Sequence, residues 1–259
     1  MSPSSTPGPS PADAFETALA VMERRSGAER LTTGSGSLDA LIGGVEPGGF
    51  YLFYGPGEDD ALDGFIHRLI FEAVRLSPER ETIYVLCGNY RRSRTVVDLD
   101  YLISLFVEAG MDVDDGLTRI HMVYAFSERQ FMRVPKLVEG IMRDSGDMAL
   151  VAVQQVAKLF YGEDAVRFED PAEFTGVVSR LRQLCYEGGA ALAATCRPAG
   201  RGTVPLPEGG VYLRHAATVI VYLRHLSDGR MSAHLVKHPE SALAGRRVSY
   251  REEGFSWAG

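Results

Sequence analysis

Short apolar runs alternate with longer amphipathic stretches from residue 50 to residue 195, a pattern typical of a parallel sheet covered by helices on both faces. Five runs have the length and composition of buried strands: residues 50–54, 82–86, 121–124, 149–153 and 190–195. The run at 149–153 is apolar at every position, so we expect it in the centre of the sheet. The sequence therefore predicts an α/β fold.

Apolar residues at helical spacing predict a helix after each of the first four strands. The stripes are Leu62, Phe65, Ile66, Leu69 and Ala73; Leu102, Leu105, Phe106 and Ala109; residues 134–142; and Phe174, Val177, Val178, Leu181, Leu184 and Cys185.

Several residues predict where these helices begin and end. Gly110 suits the end of the second helix as a C-terminal cap, and Pro135 suits the first turn of the third. For the fourth helix, Asp170 can cap the start, Pro171 suits the first helical position and Glu173 completes a capping box.

The two ends of the chain differ in character. Residues 218–223 and 231–238 flank Asp228-Gly229, which predicts an antiparallel hairpin, and residues 246–250 predict a last strand. Residues 1–12 are rich in Pro, Ser and Gly and lack charge, so we expect a disordered tail. A short amphipathic helix is predicted over residues 15–25. We expect a tail over 1–12, a linker over 13–30 and a core over 31–259.

Composition narrows the class of protein. The chain has 45% hydrophobic and 24% charged residues, which is ordinary for a globular protein, and its net charge of −7 gives no global attraction for nucleic acid. No apolar run approaches the roughly 18 residues that cross a bilayer. Three scattered cysteines, Cys87, Cys185 and Cys196, predict buried reduced thiols in a cytoplasmic protein and no metal site.

Three motifs near the N-terminus are spaced as in a known family. They are Phe15-Glu16-Thr17-Ala18, Arg24-Arg25 and Leu31-Thr32-Thr33-Gly34-Ser35. Their order resembles that of the archaeal RadA and eukaryotic strand-exchange recombinases of the RecA superfamily. The resemblance extends over roughly residues 13 to 256, through Gly209-Gly210 and residues 215–218.

The resemblance implies a RecA-like core, a mostly parallel sheet flanked by helices, with a C-terminal antiparallel hairpin extension. It also implies that Phe15 and Ala18 dock on a neighbouring protomer, either a RadA-type recombinase or an identical chain, by adding an extended strand to its sheet edge. The alternative is that residues 15–25 fold onto the core of their own chain as a helix.

The phosphate-binding loop of this family is altered in the present sequence. Such a loop needs glycines, a lysine for charge and a hydroxyl for magnesium. Gly55 is retained, but the loop continues as Pro56, Gly57, Glu58, Asp59, Asp60, Ala61, Leu62 and Asp63. Depending on a one-residue gap, the lysine position falls on Ala61 or Leu62 and the hydroxyl position on Leu62 or Asp63.

The acidic residues of this loop oppose nucleotide binding. Unit charges 4 Å apart repel by roughly 4 kcal/mol at an effective dielectric constant near 20, so Glu58, Asp59, Asp60 and Asp63 would repel a triphosphate. Carboxylates at a helix start have a second explanation, because they complement the helix dipole.

Other family positions are also replaced. The glutamate that positions the attacking water falls on Gly88, the second metal ligand falls on Gln154, and an Asn-Gln pair falls on Cys196-Arg197. We therefore predict a chain without ATPase activity, cofactor or metal.

Family members bind single-stranded DNA through two loops, which fall here on residues 160–170 and 197–210. The second loop has Arg197 and Arg201 among glycines, which suits weak contact with a DNA backbone. Arg91, Arg92 and Arg94 form the densest basic run; they are either a solvated loop or a contact for phosphate or an acidic partner.

The sequence thus favours a non-catalytic RadA-type paralog, cytoplasmic and nucleoid-associated, that assists or regulates recombination and repair and has single-stranded DNA as a candidate ligand. One alternative is an ATP-binding, DNA-dependent ATPase in which Arg91 or Arg92 replaces the missing lysine. Another is a scaffold whose identical copies join through the Phe15 peptide.

Overall fold

The computed structural model describes Thr17 and residues 29–56, 61–88, 97–161, 171–200 and 202–251. The predicted tail and almost all of the helix predicted over residues 15–25 lie outside these residues. Strands of the described part are β1 Phe50–Tyr54, β2 Glu81–Cys87, β3 Ile120–Ala125, β4 Met148–Gln154, β5 Ala191–Cys196, β6 Pro198–Ala199, β7 Leu206–Pro207, β8 Val219–His225, β9 Met231–Lys237 and β10 Arg247–Tyr250.

An eight-stranded sheet organises the fold, in the order β10-β9-β8-β1-β5-β4-β2-β3. Strands β8, β1, β5, β4, β2 and β3 are parallel to one another, and β9 and β10 extend the sheet in antiparallel pairing. A separate two-stranded hairpin joins β6 to β7. The expected class, α/β with a mostly parallel sheet and an antiparallel C-terminal extension, is confirmed.

Helices cover both faces of the sheet. The helices described are α1 Gly36–Ile42, α2 Ala61–Leu76, α3 Leu99–Glu108, α4 Val113–Thr118, α5 Glu128–Phe131, α6 Val134–Ser145, α7 Ala172–Glu187 and α8 Gly210–Ala216. The apolar sides of α1, α2 and α3 pack in one core cluster, and those of α6, α7 and α8 pack in the other.

All eight strands predicted from the apolar runs are present, and β4 is central and buried at every position. Gly110 adopts φ 67 directly after the cap residue of α3, which lets the chain turn as predicted. Pro135 lies in the first turn of α6. The hairpin at Asp228-Gly229 joins β8 to β9, with Gly229 at φ 76.

One detail of the helix predictions is wrong, and four short helices were not predicted. Pro171 was expected in the first helical position, but its ψ of 132 is extended, so Pro171 is the cap and the helix begins at Ala172. Asp170, the expected cap, lies outside the described residues. The short helices α1, α4, α5 and α8 were not predicted, because four to seven residues give too little periodicity.

The connections leave neighbouring strands toward opposite faces of the sheet. The chain leaves β1 into α2 on one face, whereas the chain after the adjacent strand β5 reaches α8 on the other face. In open α/β sheets, ligands bind in the crevice outside the carboxyl ends of the strands where the connections diverge. The fold therefore directs attention to the ends of β1, β5 and β4. No helix of the described residues is long and apolar enough to cross a membrane.

Candidate functional site

The crevice begins at Gly55, the first residue after β1. A Cβ atom added there would lie 2.1 Å from the carbonyl oxygen of Leu223, on the neighbouring strand β8. The glycine is therefore required by the close approach of two backbones. This packing role is independent of any phosphate.

The start of α2 fills the positions where the family places its lysine and hydroxyl. The helix begins at Ala61, and Leu62 is 2% exposed within the core cluster that packs against the sheet. Asp63 lies in the first turn of the helix, where a carboxylate complements the positive end of the helix dipole. Gly57, Glu58, Asp59 and Asp60 lie outside the described residues.

Buried hydrogen bonds link α2 to the cap of α3, and the middle of β2 to the end of β4. Nδ1 of His67 bonds the carbonyl oxygen of Asp63, Nε2 of His67 lies 3.3 Å from the Tyr84 hydroxyl, and that hydroxyl donates to Oε1 of Gln154. The backbone N–H of Asp98, the cap of α3, also donates to Nε2 of His67. These bonds join α2 to the start of α3 and join β2 to β4 beneath the crevice.

The ionisation of these groups follows from their burial. Burial lowers the pKa of the His67 imidazole below its usual value, although the Asp63 carbonyl and the carboxylates of Asp63 and Asp98 oppose the shift. Burial also raises the pKa of the Tyr84 hydroxyl, and the Asp63 carboxylate raises it further. At neutral pH both groups are therefore uncharged, which suits an apolar interior.

Gln154 occupies the end of β4, the position for which the resemblance predicts the loss of a magnesium-binding carboxylate. The residue is fully buried, and its Nε2 atom has no hydrogen-bond partner among the described residues. The next residue, Gln155, has φ 57, a left-handed conformation that costs a side chain roughly 1–2 kcal/mol. Its backbone N–H donates to Oγ1 of Thr195, 2.9 Å away, which turns the chain across β5.

Lys158 is a cation of the crevice that the sequence did not reveal. Burial lowers the pKa of its ammonium group, and the Arg197 guanidinium lowers it further, whereas the carboxylates of Asp63 and Glu208 raise it. The charges of Asp63, Arg197 and Glu208 therefore act on the Lys158 ammonium group. Lys158 follows β4, far along the chain from the loop after β1 in which the resemblance places a phosphate-binding lysine.

Arg197 directly follows β5 and is half-buried. Its carbonyl oxygen accepts a hydrogen bond from the Glu208 backbone N–H at 2.8 Å. The Tyr54 hydroxyl donates to the carbonyl oxygen of Pro205 at 2.7 Å, so the segment 202–208 is fastened to the sheet. The second predicted DNA loop thus contains an ordered hairpin. Arg201 lies outside the described residues.

Of the remaining predicted residues, Gly88 and the three cysteines lie in the described part of the chain and the others do not. Gly88 follows β2, where its backbone N–H donates to the Ala125 carbonyl oxygen at 3.0 Å. Cys87, Cys185 and Cys196 are buried free thiols, and burial raises the pKa of each. Phe15, Ala18, Arg91, Arg92 and Arg94 lie outside the described residues.

The crevice therefore combines uncharged buried groups with charges of both signs. Within the described ranges, no cluster of three His, Cys, Asp or Glu side chains is arranged to hold a metal ion. The chain matches no protein-family model.

Proposed function

We propose that this chain is a non-catalytic paralog of the RadA-type recombinases, with a RecA-like core, that docks on recombinase protomers and assists or regulates recombination and repair. The sheet is compatible with a RecA-like core, since the strand before the altered loop lies beside β5 and one strand from β4. The motifs around Phe15, Arg24 and Thr32 favour the RadA branch.

The observation that carries the proposal is the state of the β4 end. Gln154 is fully buried and bonded to the Tyr84 hydroxyl, so it is a structural residue with no negative charge for a metal ion. Leu62 supports the same conclusion, because its side chain packs in the core. These residues are suited to stability and unsuited to holding magnesium and a triphosphate.

The charges around Lys158 support the proposal in a second way. A phosphate and a metal ion would place several charges at the end of β1. Here Asp63 and Glu208 provide the anions, and Lys158 and Arg197 provide the cations. The side chains at the crevice thus supply both positive and negative charges without a bound phosphate or metal ion.

Docking through Phe15 and Ala18 is the interaction part of the proposal. The partner would be a RadA-type recombinase, or an identical protomer in the scaffold alternative. Sedimentation at rising concentration distinguishes the two, because self-docking head to tail gives polymers that grow with concentration.

Isothermal titration tests the central proposal. We expect no heat signal with ATP and magnesium, a signal with a RadA-type recombinase, and loss of that signal in Phe15→Ala. Wild-type affinity in Phe15→Ala would reject the docking mode. A nucleotide dissociation constant below about 100 μM, equivalent to a binding free energy beyond roughly −5.5 kcal/mol, would reject the loss of nucleotide binding.

Lys158 and Arg197 are the observation that favours the second candidate, an ATP-binding protein with rearranged ligands. Two cations near Asp63 are what such a site would use in place of the missing lysine. In that case ATP would bind and Lys158→Met would weaken ATP binding by about tenfold, equivalent to roughly 1.4 kcal/mol. Arg143→Met, at an exposed position on α6, is the matched control.

A further inference from the structure

A second polar surface lies on the antiparallel extension, on the sheet face opposite α1 and α2. Strand pairing places Tyr222, His234 and Arg247 side by side across β8, β9 and β10. The next row on the same face holds Arg224, Ser232 and Ser249. Met231, Ala233 and Leu235 alternate with them and face the core, so the side-chain period of two fixes this surface.

The cations of this face are available to a ligand. Arg247 donates through Nε to Nδ1 of His234 at 2.6 Å, and the N–H groups of its terminal nitrogens have no partner in the described part of the chain. Arg224 makes no ion pair or side-chain hydrogen bond with any described residue. None of the six positions in the two rows is acidic, although the whole chain has a net charge of −7.

The second predicted DNA loop borders this face. Thr203 and Val204 line a shallow depression together with Tyr222, Arg224, Ser232, His234 and Arg247. The depression has a volume of about 10 Å³, too small to enclose a compact ligand. An extended ligand lying across the strands fits such a surface.

We propose that single-stranded DNA binds across this face, with Arg224 and Arg247 contacting backbone phosphates and the serine hydroxyls donating to phosphate oxygens. Guanidinium groups bind phosphate oxygens with two parallel hydrogen bonds, and most phosphate contacts in DNA complexes come from arginine, lysine and hydroxyl side chains. The charge of the face is therefore complementary to a polyanion. The proposal deepens the proposed function, on which its choice of DNA rests, by naming the DNA-binding surface.

Fluorescence anisotropy with a labelled oligothymidylate tests this. We expect the wild-type chain to bind at low salt and Arg224→Ala/Arg247→Ala to bind about tenfold more weakly. We also expect the slope of log affinity against log salt to fall by about 1.4, since each phosphate contact on a single strand contributes roughly 0.7. Arg224→Lys/Arg247→Lys, which keeps both charges, should retain most of the binding.

Arg143→Ala, on α6 and 75% exposed, is the matched control and should bind like the wild type. Equal binding by the wild type and the double alanine variant, with both shown to be folded by thermal melting, would overturn the proposal. So would binding of phosphatidylserine vesicles but no DNA. If the double alanine variant does not fold, Arg247→Glu takes its place in the test and should abolish DNA binding. Docking on a recombinase is measured separately with Phe15→Ala, so each proposal can fail alone.

Discussion

The crevice and the open face of β8, β9 and β10 are polar surfaces of one sheet, but their charged side chains differ in whether they have partners of opposite charge. In the crevice, the Lys158 ammonium group is within reach of charges on Arg197, Asp63 and Glu208, and the interior groups His67 and Tyr84 are neutral. On the open face, Arg224 and Arg247 have no ionic partner among the described residues.

The difference follows from the cost of burial. A buried charge needs a partner, because an uncompensated charge away from water costs several kcal/mol. An exposed arginine is hydrated and can remain without an ionic partner at little cost. We infer that the crevice contributes to folding and that the open face is available for binding.

The largest expected effect is at the edge of the crevice. Gly55→Ala should lower the free energy of unfolding by about 3 kcal/mol, because the added methyl group meets the Leu223 carbonyl oxygen at 2.1 Å. Urea denaturation measures this. Gly176→Ala is the control: it lies within α7 with open space around it and should stabilise the chain by about 0.5–1 kcal/mol. Equal stabilities would contradict the close approach.

Removing the Tyr84 hydroxyl should have the next largest effect. Tyr84→Phe leaves Oε1 of buried Gln154 without its donor, so we expect a loss of about 1–3 kcal/mol in unfolding free energy. Tyr186→Phe, at a side chain that is 58% exposed, should change stability by less than about 0.5 kcal/mol. In a double-mutant cycle with Gln154→Met, the two losses should not add. Full additivity would disprove the bond.

Acid should weaken the crevice through His67. Its pKa is lowered in the folded state, so the unfolded chain binds more protons once the pH falls below the ordinary value of about 6.5. Stability is then lost as the pH falls from that value toward the folded pKa, with a slope of at most about 1.4 kcal/mol per pH unit from this group. Urea denaturation at pH 7 and pH 5.5 should show a smaller difference in His67→Gln than in the wild type. If the difference between the two pH values is the same in both proteins, His67 is not the group that causes the loss of stability in acid.

The smallest stability effect is expected on the open face. Arg224→Ala/Arg247→Ala should change the free energy of unfolding by less than about 0.5 kcal/mol, because neither side chain pairs with an acidic residue of the described chain. Thermal melting measures this on the samples used for anisotropy. A loss of several kcal/mol in the free energy of unfolding would show that these arginines stabilise the fold, and it would contradict the contrast between the two surfaces.

Much of the fold was predictable because its signals are local. The apolar run of β4 indicated a central strand, and Asp228-Gly229 indicated the hairpin between β8 and β9. The start of α7 was predicted one residue early, since proline suits both the cap and the first helical position and only ψ distinguishes them. Helices of four to seven residues such as α5 gave no usable pattern.

The side chains that meet in the candidate site were not predictable from the sequence. The resemblance assigns functional positions to Leu62 and Gln154 and predicts the loss of their chemistry. It did not indicate that Tyr84 would bond Gln154, or that Lys158 would lie near Asp63. These residues are far apart in sequence, and no periodic pattern relates them.

The sequence by itself determined the alternation of strands and helices, the acidic residues after β1 and the acidic net charge, because each depends on residue identity and near neighbours. Only the tertiary structure decided which charges meet. Parallel strands bring their carboxyl ends to one edge, which gathers Asp63, Lys158 and Arg197, and antiparallel pairing aligns Arg224 and Arg247 on one face. Strand order and register fix these meetings, and both are set by packing across the whole sheet.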